Sequence, residues 1–217
     1  MKADMKDPGL LDAMALLEAH YYAFFSACEF AEKTGHPVPC DTRAWSQILV
    51  SLLTGIKGRD RGKGSDLIDG SDVKAANCWK AIDTPRFNGA IPSGRISETS
   101  RKSLDVSALD DTPFIFFVLW DEGANSAPRC RGWCVRANKD KVFRRMCAEW
   151  YSQRASGQIK SDNFQLHPPR FRDDNVFRNK CGNLSYPLLF SAMRSGERFS
   201  CVHYDKDVLV SGACSES

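Results

Sequence analysis

The sequence lacks a long hydrophobic run, which excludes the simplest membrane architecture. The longest continuous apolar stretch in the 217 residues runs from Phe114 to Trp120, whereas a transmembrane helix needs about 20 apolar residues. The first residues, MKADMKDPGLLDAMALLEAH, also lack the continuous apolar core and the small-residue cleavage site of a secretory signal. We therefore expect no membrane partner and a cytoplasmic location.

The chain is also poor in paired cysteine motifs, although it contains nine cysteines. The only tight pair is CRGWC, at Cys130 and Cys134, and the regular spacing of a small secreted disulfide-rich protein is missing. We interpret most of the thiols as reduced and buried. A structural zinc site stays open as an alternative, in which Cys147, His167 or Cys181 would add ligands to the pair.

Neither sign of charge dominates, since 30 Lys and Arg face 27 Asp and Glu. The charge is nevertheless uneven, because residues 1–56 hold four basic and seven acidic side chains, whereas residues 129–180 hold thirteen basic and five acidic ones. A basic half is what a polyanion-binding surface needs, because neutralised phosphates release counterions. A solvated basic face would give the same count, so charge alone leaves both interpretations open.

Hydrophobic periodicity predicts a mixture of helices and strands. Helices are predicted at residues 9–33 and over CDTRAWSQILVSLLTG, the second with Asp41 or Thr42 as its N-cap and Gly55 as its end. TPFIFFVLW predicts a strand buried on both faces, RCRGWCVRA a neighbouring strand, and DKVFRRMCAEWYSQR a helix that begins near Asp140. NLSYPLLFSAMRSG predicts a shorter helix, interrupted or started at its proline. The pattern indicates a mixed β-sheet flanked by helices.

The segment GKGSDLIDGSDVKAAN, residues 62–77, concentrates acidic side chains around a turn signal. Asp69-Gly70 between two apolar runs predicts a β-hairpin. If these two residues alone form the loop, Asp66 points away from Asp72, and the hairpin has no obvious chemical use.

A three-residue loop that includes Ser71 gives a different arrangement. Asp66 then pairs with Lys74, and both share one polar face with Asp72. The burial pattern favours this register, because a slip by one residue would drive a carboxylate into the core. The opposite face is then formed by Leu67, Val73 and Ala75. The convergence of the polar side chains therefore depends on the loop length.

Two carboxylates and a lysine on one sheet face suit metal-dependent chemistry. Carboxylate oxygens, together with water and a substrate phosphate, are the ligands that Mg²⁺ prefers. Such an ion activates water and neutralises charge that develops on a phosphate, and a neighbouring ammonium group stabilises anionic oxygens. The segment therefore predicts hydrolysis of a phosphodiester.

The same residues resemble a known signature. Asp66, five intervening residues and Asp72-Val73-Lys74 resemble the PD-(D/E)XK nuclease motif, with Ser65 in place of its proline. RAWSQILVSLLTG followed by GSDLIDGSDVKAA is similar to the active-site arrangement of MutH-type mismatch-repair nicking endonucleases and related restriction enzymes. NFQLHPP and NKCGNLSYPLLFSA resemble type II restriction enzymes of the MamI kind.

This resemblance implies residue roles at the site. Asp66 and Asp72 would bind the metal, and Lys74 would position the attacking water. The family's helix often supplies a further acidic ligand, but Val50 occupies the matching position here. Gln47, which lies on the matching helix, is our first candidate to replace that ligand, and the other candidates are Glu18 and Glu29.

The resemblance also implies the fold and the function. We expect a single α/β domain over residues 1–217 with a restriction-endonuclease-like sheet, in which residues 1–125 carry the catalytic elements and the basic residues 126–217 recognise DNA. The expected activity is Mg²⁺-dependent type II cleavage of double-stranded DNA by a homodimer, since two-fold sites call for two-fold proteins. The alternatives are a strand-nicking repair endonuclease and a non-catalytic, zinc-containing DNA-binding protein. The candidate DNA contacts are Arg59, Arg61, Lys63, Arg131, Arg144, Arg145, His167, Arg170 and Arg172.

Overall fold

The structure is a computed structural model that describes residues 7–38, 41–60, 64–80, 84–91 and 105–217. Its helices are α1 (Pro8–Thr34), α2 (Arg43–Thr54), α3 (Lys141–Ala155) and α4 (Val208–Ser211). Its strands are β1 (Asp72–Asn77), β2 (Phe87–Asn88), β3 (Ile115–Glu122), β4 (Pro128–Val135), β5 (Gln165–Leu166), β6 (Val176–Asn179), β7 (Gly182–Ser185), β8 (Leu188–Ser195), β9 (Arg198–Tyr204) and β10 (Ser215–Glu216).

Five strands form the central sheet, in the order β1-β3-β4-β8-β9. β1 runs parallel to β3, and the other neighbours are antiparallel, so the sheet is mixed. Two small sheets, β10-β7-β6 and β2-β5, accompany it. The expected α/β fold with a mixed central sheet flanked by helices is therefore confirmed. Within the described ranges, no helix is both long and apolar enough to cross a membrane.

β3 is the centre of the fold because it separates two hydrophobic cores. Successive side chains of a strand point to opposite faces. Phe116, Val118 and Trp120 pack into the core shared with α1 and α2. Phe117 and Leu119 pack on the opposite face, in the core shared with α3. This explains why the strand reads as a continuous apolar run rather than as an alternating one.

The two N-terminal helices begin and end where local signals predict. The Asp7 carboxylate accepts a hydrogen bond of 3.1 Å from the Leu10 N–H at the start of α1, and Gly35, with φ of 70°, ends the helix. Asp41 precedes α2 and accepts a hydrogen bond of 2.9 Å from the Arg43 N–H. These predicted helices are confirmed, and so are the strand β4 and the helix α3.

The predicted C-terminal helix over NLSYPLLFSAMRSG is wrong, since this segment forms β7 and β8. β8 lies between β4 and β9 and is paired along both edges. Its residues from Leu189 to Ala192 are buried. A short, continuous apolar run of this kind is equally compatible with a buried strand and a buried helix, so the pairing partners decide.

The predicted hairpin at residues 62–77 is also wrong. β1 takes β3 as its partner, with Asp72 opposite Ile115, and the described residues before β1 form a compact loop. In this loop the N–H groups of Asp66 and Leu67 both donate to the Ser71 carbonyl, at 3.1 Å each. β3 supplies a partner for all six residues of β1, whereas the short loop could pair with only part of it.

Candidate active site

Asp66 connects α2, the loop before β1 and β1 itself. Its Oδ1 accepts a hydrogen bond of 2.6 Å from Gln47 Nε2 on α2. Its Oδ2 accepts one of 2.9 Å from the Val73 N–H on β1. The loop therefore places this carboxylate beside β1, although the two segments do not pair as strands of a hairpin.

Asp72 and Lys74 lie on the same face of β1 because they are two residues apart. Lys74 Nζ is 2.5 Å from Asp72 Oδ2, and the two side chains are 23% and 26% exposed. The Val73 N–H donates not only to Asp66 Oδ2 but also to Asp72 Oδ1, at 3.1 Å. Because one N–H serves both carboxylates, their oxygens lie close together.

Two effects raise the pKa of Asp72, and a third opposes them. Burial and the hydrogen-bonded contact with Asp66 raise the pKa of Asp72 to about 6, although Lys74 opposes this shift. A nearby cation would favour the ionised pair. Two carboxylates with only oxygen donors fit a hard divalent cation such as Mg²⁺ better than a soft one.

The three side chains open into one groove of about 450 Å³. Asp66, Asp72 and Lys74 are part of its lining, and Gln47 contacts Asp66 from α2. The structure thus brings together the four residues that the sequence singles out, although through a different backbone path. Further polar lining residues that the sequence reasoning missed are Arg43, Arg86 and Asn88.

The other candidates for the additional acidic ligand, Glu18 and Glu29, lie outside the groove. Glu18 is 2.5 Å from Arg194 Nη1 and also accepts a hydrogen bond from the Phe199 N–H, so it ties α1 to the far edge of the sheet. Glu29 is exposed on α1, and neither glutamate lines the groove. Val50 is 2% exposed and packs in the core. Of the proposed substitutes, Gln47 is the one in contact with Asp66.

Arg131, one of the expected DNA contacts, is buried and bonded within the protein. It is 3% exposed, and its guanidinium donates to Asp121 Oδ2 at 2.9 Å and to the Pro169 carbonyl at 2.7 Å. Arg129 donates to the same fully buried Asp121. These arginines fasten the segment around Pro169 to the central sheet, and the DNA-contact role of Arg131 stays a prediction.

The remaining DNA-contact candidates occupy varied environments. Arg144 pairs with Asp110 at 2.6 Å, Arg145 pairs with Glu216, and Arg172 lies 3.3 Å from Asp174. Arg59 is exposed and donates to Ser65 Oγ at 3.3 Å, and Arg170 lies 4.3 Å from the ring centroid of Phe171. His167 lines a separate pocket of about 260 Å³ beside Trp150 and Arg178. Arg61 and Lys63 lie outside the described residues. A role in DNA binding stays a prediction for all of these residues.

The alternative zinc site loses its structural basis. Cys130 and Cys134 lie in the core that β4 shares with α1 and α2, whereas Cys147 lies in the core on the other side of the sheet. The sheet therefore separates the pair from this proposed ligand. Across the residues that the structure describes, no group of three or more His, Cys, Asp or Glu side chains is placed to hold a metal ion.

Comparison with known proteins adds an independent observation. A family model described as MamI restriction endonuclease matches residues 29–196, a range that includes α2, the loop and β1. The chain belongs to the MamI restriction endonuclease family. It is 35% identical over 176 residues to the type II restriction enzyme MamI of Microbacterium ammoniaphilum, a match that covers 76% of the chain and 56% of that relative. The chain thus spans about half the length of the MamI enzyme, and no solved structure matches it.

Proposed function

We propose that the chain is a Mg²⁺-dependent type II restriction endonuclease that hydrolyses phosphodiester bonds of double-stranded DNA at a specific sequence. The observation that carries the proposal is the convergence of Asp66, Asp72 and Lys74 in one groove. Membership of the MamI family supports it, because the curated relative is named as a type II restriction enzyme.

Asp66 and Asp72 are the residues that would hold the cation. Their oxygens lie side by side at the Val73 N–H and reach the groove. When bound, Mg²⁺ would polarise the scissile phosphate and lower the pKa of a coordinated water. Gln47 fixes the orientation of Asp66 through its hydrogen bond of 2.6 Å, so that the carboxylate is already positioned before the cation arrives.

Lys74 would act on the substrate rather than on the metal. Its ammonium group lies on the same strand face as Asp72 and retains hydrogen-bond donors beyond its ion pair with that residue. These donors can orient the attacking water and stabilise negative charge on the phosphate oxygens. The two carboxylates would thus bind the metal cation, and the ammonium group would contact the anionic phosphate.

The further expectations follow from this activity. A double-strand cut at a two-fold site requires two active sites, which favours a homodimer. The division into a catalytic part, residues 1–125, and a basic DNA-recognition part, residues 126–217, stays a prediction, as does the cytoplasmic location. A strand-nicking enzyme would use the same residues once and leave an open circle.

Cleavage of supercoiled plasmid DNA tests the proposal. We expect linear DNA or defined fragments with Mg²⁺ and none with EDTA. Asp72→Asn and Lys74→Ala should each slow cleavage by about 10²-fold or more, because each removes a charge that acts on the reaction centre. Lys206→Ala is the matched control, since Lys206 also pairs with an aspartate, Asp7, at 2.5 Å but does not line the groove.

The outcomes separate the alternatives. Undiminished cleavage by Asp72→Asn and Lys74→Ala would refute the assigned site. An open-circular product would indicate that the enzyme nicks one strand rather than cutting both. Stoichiometric bound zinc in the purified protein, without cleavage of any tested DNA, would favour the non-catalytic alternative.

A further inference from the structure

We propose that Arg43 and Arg86 are phosphate-positioning residues that hold the DNA backbone in the groove. The inference rests on the proposed function, because it assigns a DNA contact to the groove that holds Asp66, Asp72 and Lys74. Neither arginine belongs to the basic half of the sequence. The catalytic part of the chain, residues 1–125, would therefore also bind the DNA backbone, together with residues 126–217.

Arg43 is placed by the helix that also positions the catalytic carboxylate. It is the first residue of α2 and lies four residues before Gln47, so the two side chains lie on the same helix face, one turn apart. Gln47 contacts Asp66, and Arg43 lines the groove at the start of the helix. The hydrogen bond from the Arg43 N–H to Asp41 fixes the backbone there.

Arg86 reaches the same groove from a different element. The residue after it, Phe87, is 1% exposed and packs against Phe117, with the ring centroids 5.1 Å apart. Phe117 is the register partner of Lys74 in the β1-β3 ladder. The buried phenylalanine thus anchors the backbone of Arg86 beside the strand that carries Lys74, and Arg86 itself is exposed in the groove lining.

The charges of the groove require such cations. Its lining includes three carboxylates, which alone would repel a polyanion, and the basic side chains of Lys74, Arg43 and Arg86 balance them in number. Lys74 already pairs with Asp72. Among the described residues, neither Arg43 nor Arg86 has a carboxylate partner within ion-pair distance. A guanidinium forks readily onto two phosphate oxygens.

Arg86 and Arg43 also differ from the arginines of the basic half in their availability. Several of those arginines are held by carboxylates of the chain itself, namely Arg129, Arg144, Arg145, Arg154 and Arg172. A phosphate would have to compete with the carboxylate that each of them already contacts. The two groove arginines meet a phosphate without breaking an ion pair that the structure shows.

Binding of a 30-base-pair duplex of arbitrary sequence tests the inference, because phosphate contacts carry no sequence information. The dissociation constant is measured by fluorescence anisotropy at several salt concentrations for wild type, Arg43→Ala and Arg86→Ala. Each variant should bind about 5- to 10-fold more weakly, and the slope of log K against log salt should fall by about 1. Mg²⁺ affinity and thermal stability should stay at their wild-type values, which a damaged groove would not allow.

Arg198→Ala is the matched control. Arg198 is an exposed arginine on β9, at the edge of the sheet opposite to β1, so the same loss of charge should leave the salt slope unchanged. An unchanged slope in both groove variants, or an equal fall in Arg198→Ala, would overturn the inference even if the wild type cleaves DNA. A wild type that binds the duplex through both arginines but never cleaves would support this contact and refute the nuclease. A wild type that does not bind the duplex would overturn both.

Discussion

Replacing Gln47 with glutamate would test the metal site by a measurement other than cleavage. Gln47 Nε2 donates to Asp66 Oδ1 at 2.6 Å. In Gln47→Glu, a third carboxylate would replace this donor and face Asp66. Without a cation the variant should be less stable than wild type, and with Mg²⁺ it should regain that stability, because a third carboxylate strengthens the attraction for a divalent ion.

The size of the effect follows from the distance. Two unit charges about 4 Å apart repel by about 4 kcal/mol at an effective dielectric constant of about 20. Relaxation and proton uptake by the pair reduce this energy, so we expect a loss on the order of 3 kcal/mol in the free energy of unfolding. In a chain of this length the melting temperature would fall by roughly 6 to 12 °C.

Gln153→Glu provides a close control. Gln153 Nε2 donates to Glu149 Oε1 at 2.7 Å, so the same substitution also sets two carboxylates face to face, but on an exposed stretch of α3. A like-charge pair four residues apart on a helix surface costs only about 0.3 to 0.5 kcal/mol. Melting temperatures of both variants are measured in EDTA and in millimolar Mg²⁺, together with Mg²⁺ affinity by calorimetry. Equal losses in EDTA, or no recovery of Gln47→Glu in Mg²⁺, would refute the metal-site reasoning.

Two further predictions concern buried polar residues. His20 is 3% exposed, and burial lowers its pKa from 6.5 to about 4, so the unfolded chain gains a proton before the folded one as the pH falls. Between pH 7.5 and 5 the wild type should therefore lose about 2 kcal/mol of stability through this residue. Urea unfolding at both pH values measures this loss, which should be absent in His20→Phe and present in the exposed control His36→Phe. An equal pH dependence of stability in all three proteins would show that His20 is not its source. Arg131→Ala leaves Asp121 short of one buried partner and should lower stability by about 3 to 5 kcal/mol; a wild-type melting temperature with weakened DNA binding would instead support its role as a DNA contact.

The parts of the fold that the sequence predicts correctly are those with local physical signals. Gly55 ends α2 as predicted, because a glycine readily adopts the left-handed conformation, here with φ of 78°, that closes a helix. Asp69 takes the turn role expected of it, since both of its carboxylate oxygens accept hydrogen bonds from Ser71 at 2.9 Å. Each of these interactions spans only a few residues.

The errors arise where the partner is distant in the sequence. β1 pairs with β3, whose first residue, Ile115, lies 43 positions after Asp72, and no local pattern distinguishes this partner from the nearer loop. The same holds for β8, whose neighbours β4 and β9 make it a strand. For a related reason, a count of charges does not show that Arg131 is buried against Asp121, which lies ten positions earlier in the sequence.

The proposed catalytic residues still converge, although the predicted hairpin is wrong, because their relative placement depends little on the strand partner of β1. Asp72 and Lys74 share a face in any extended strand, whichever neighbour supplies the ladder. Asp66 needs only to reach that face, and the hydrogen bonds to Gln47 and to the Val73 N–H bring it there from a loop. A three-residue hairpin loop was sufficient for this convergence but not necessary. The spacing of the motif therefore predicts which side chains line the groove better than the secondary structure inferred around it does.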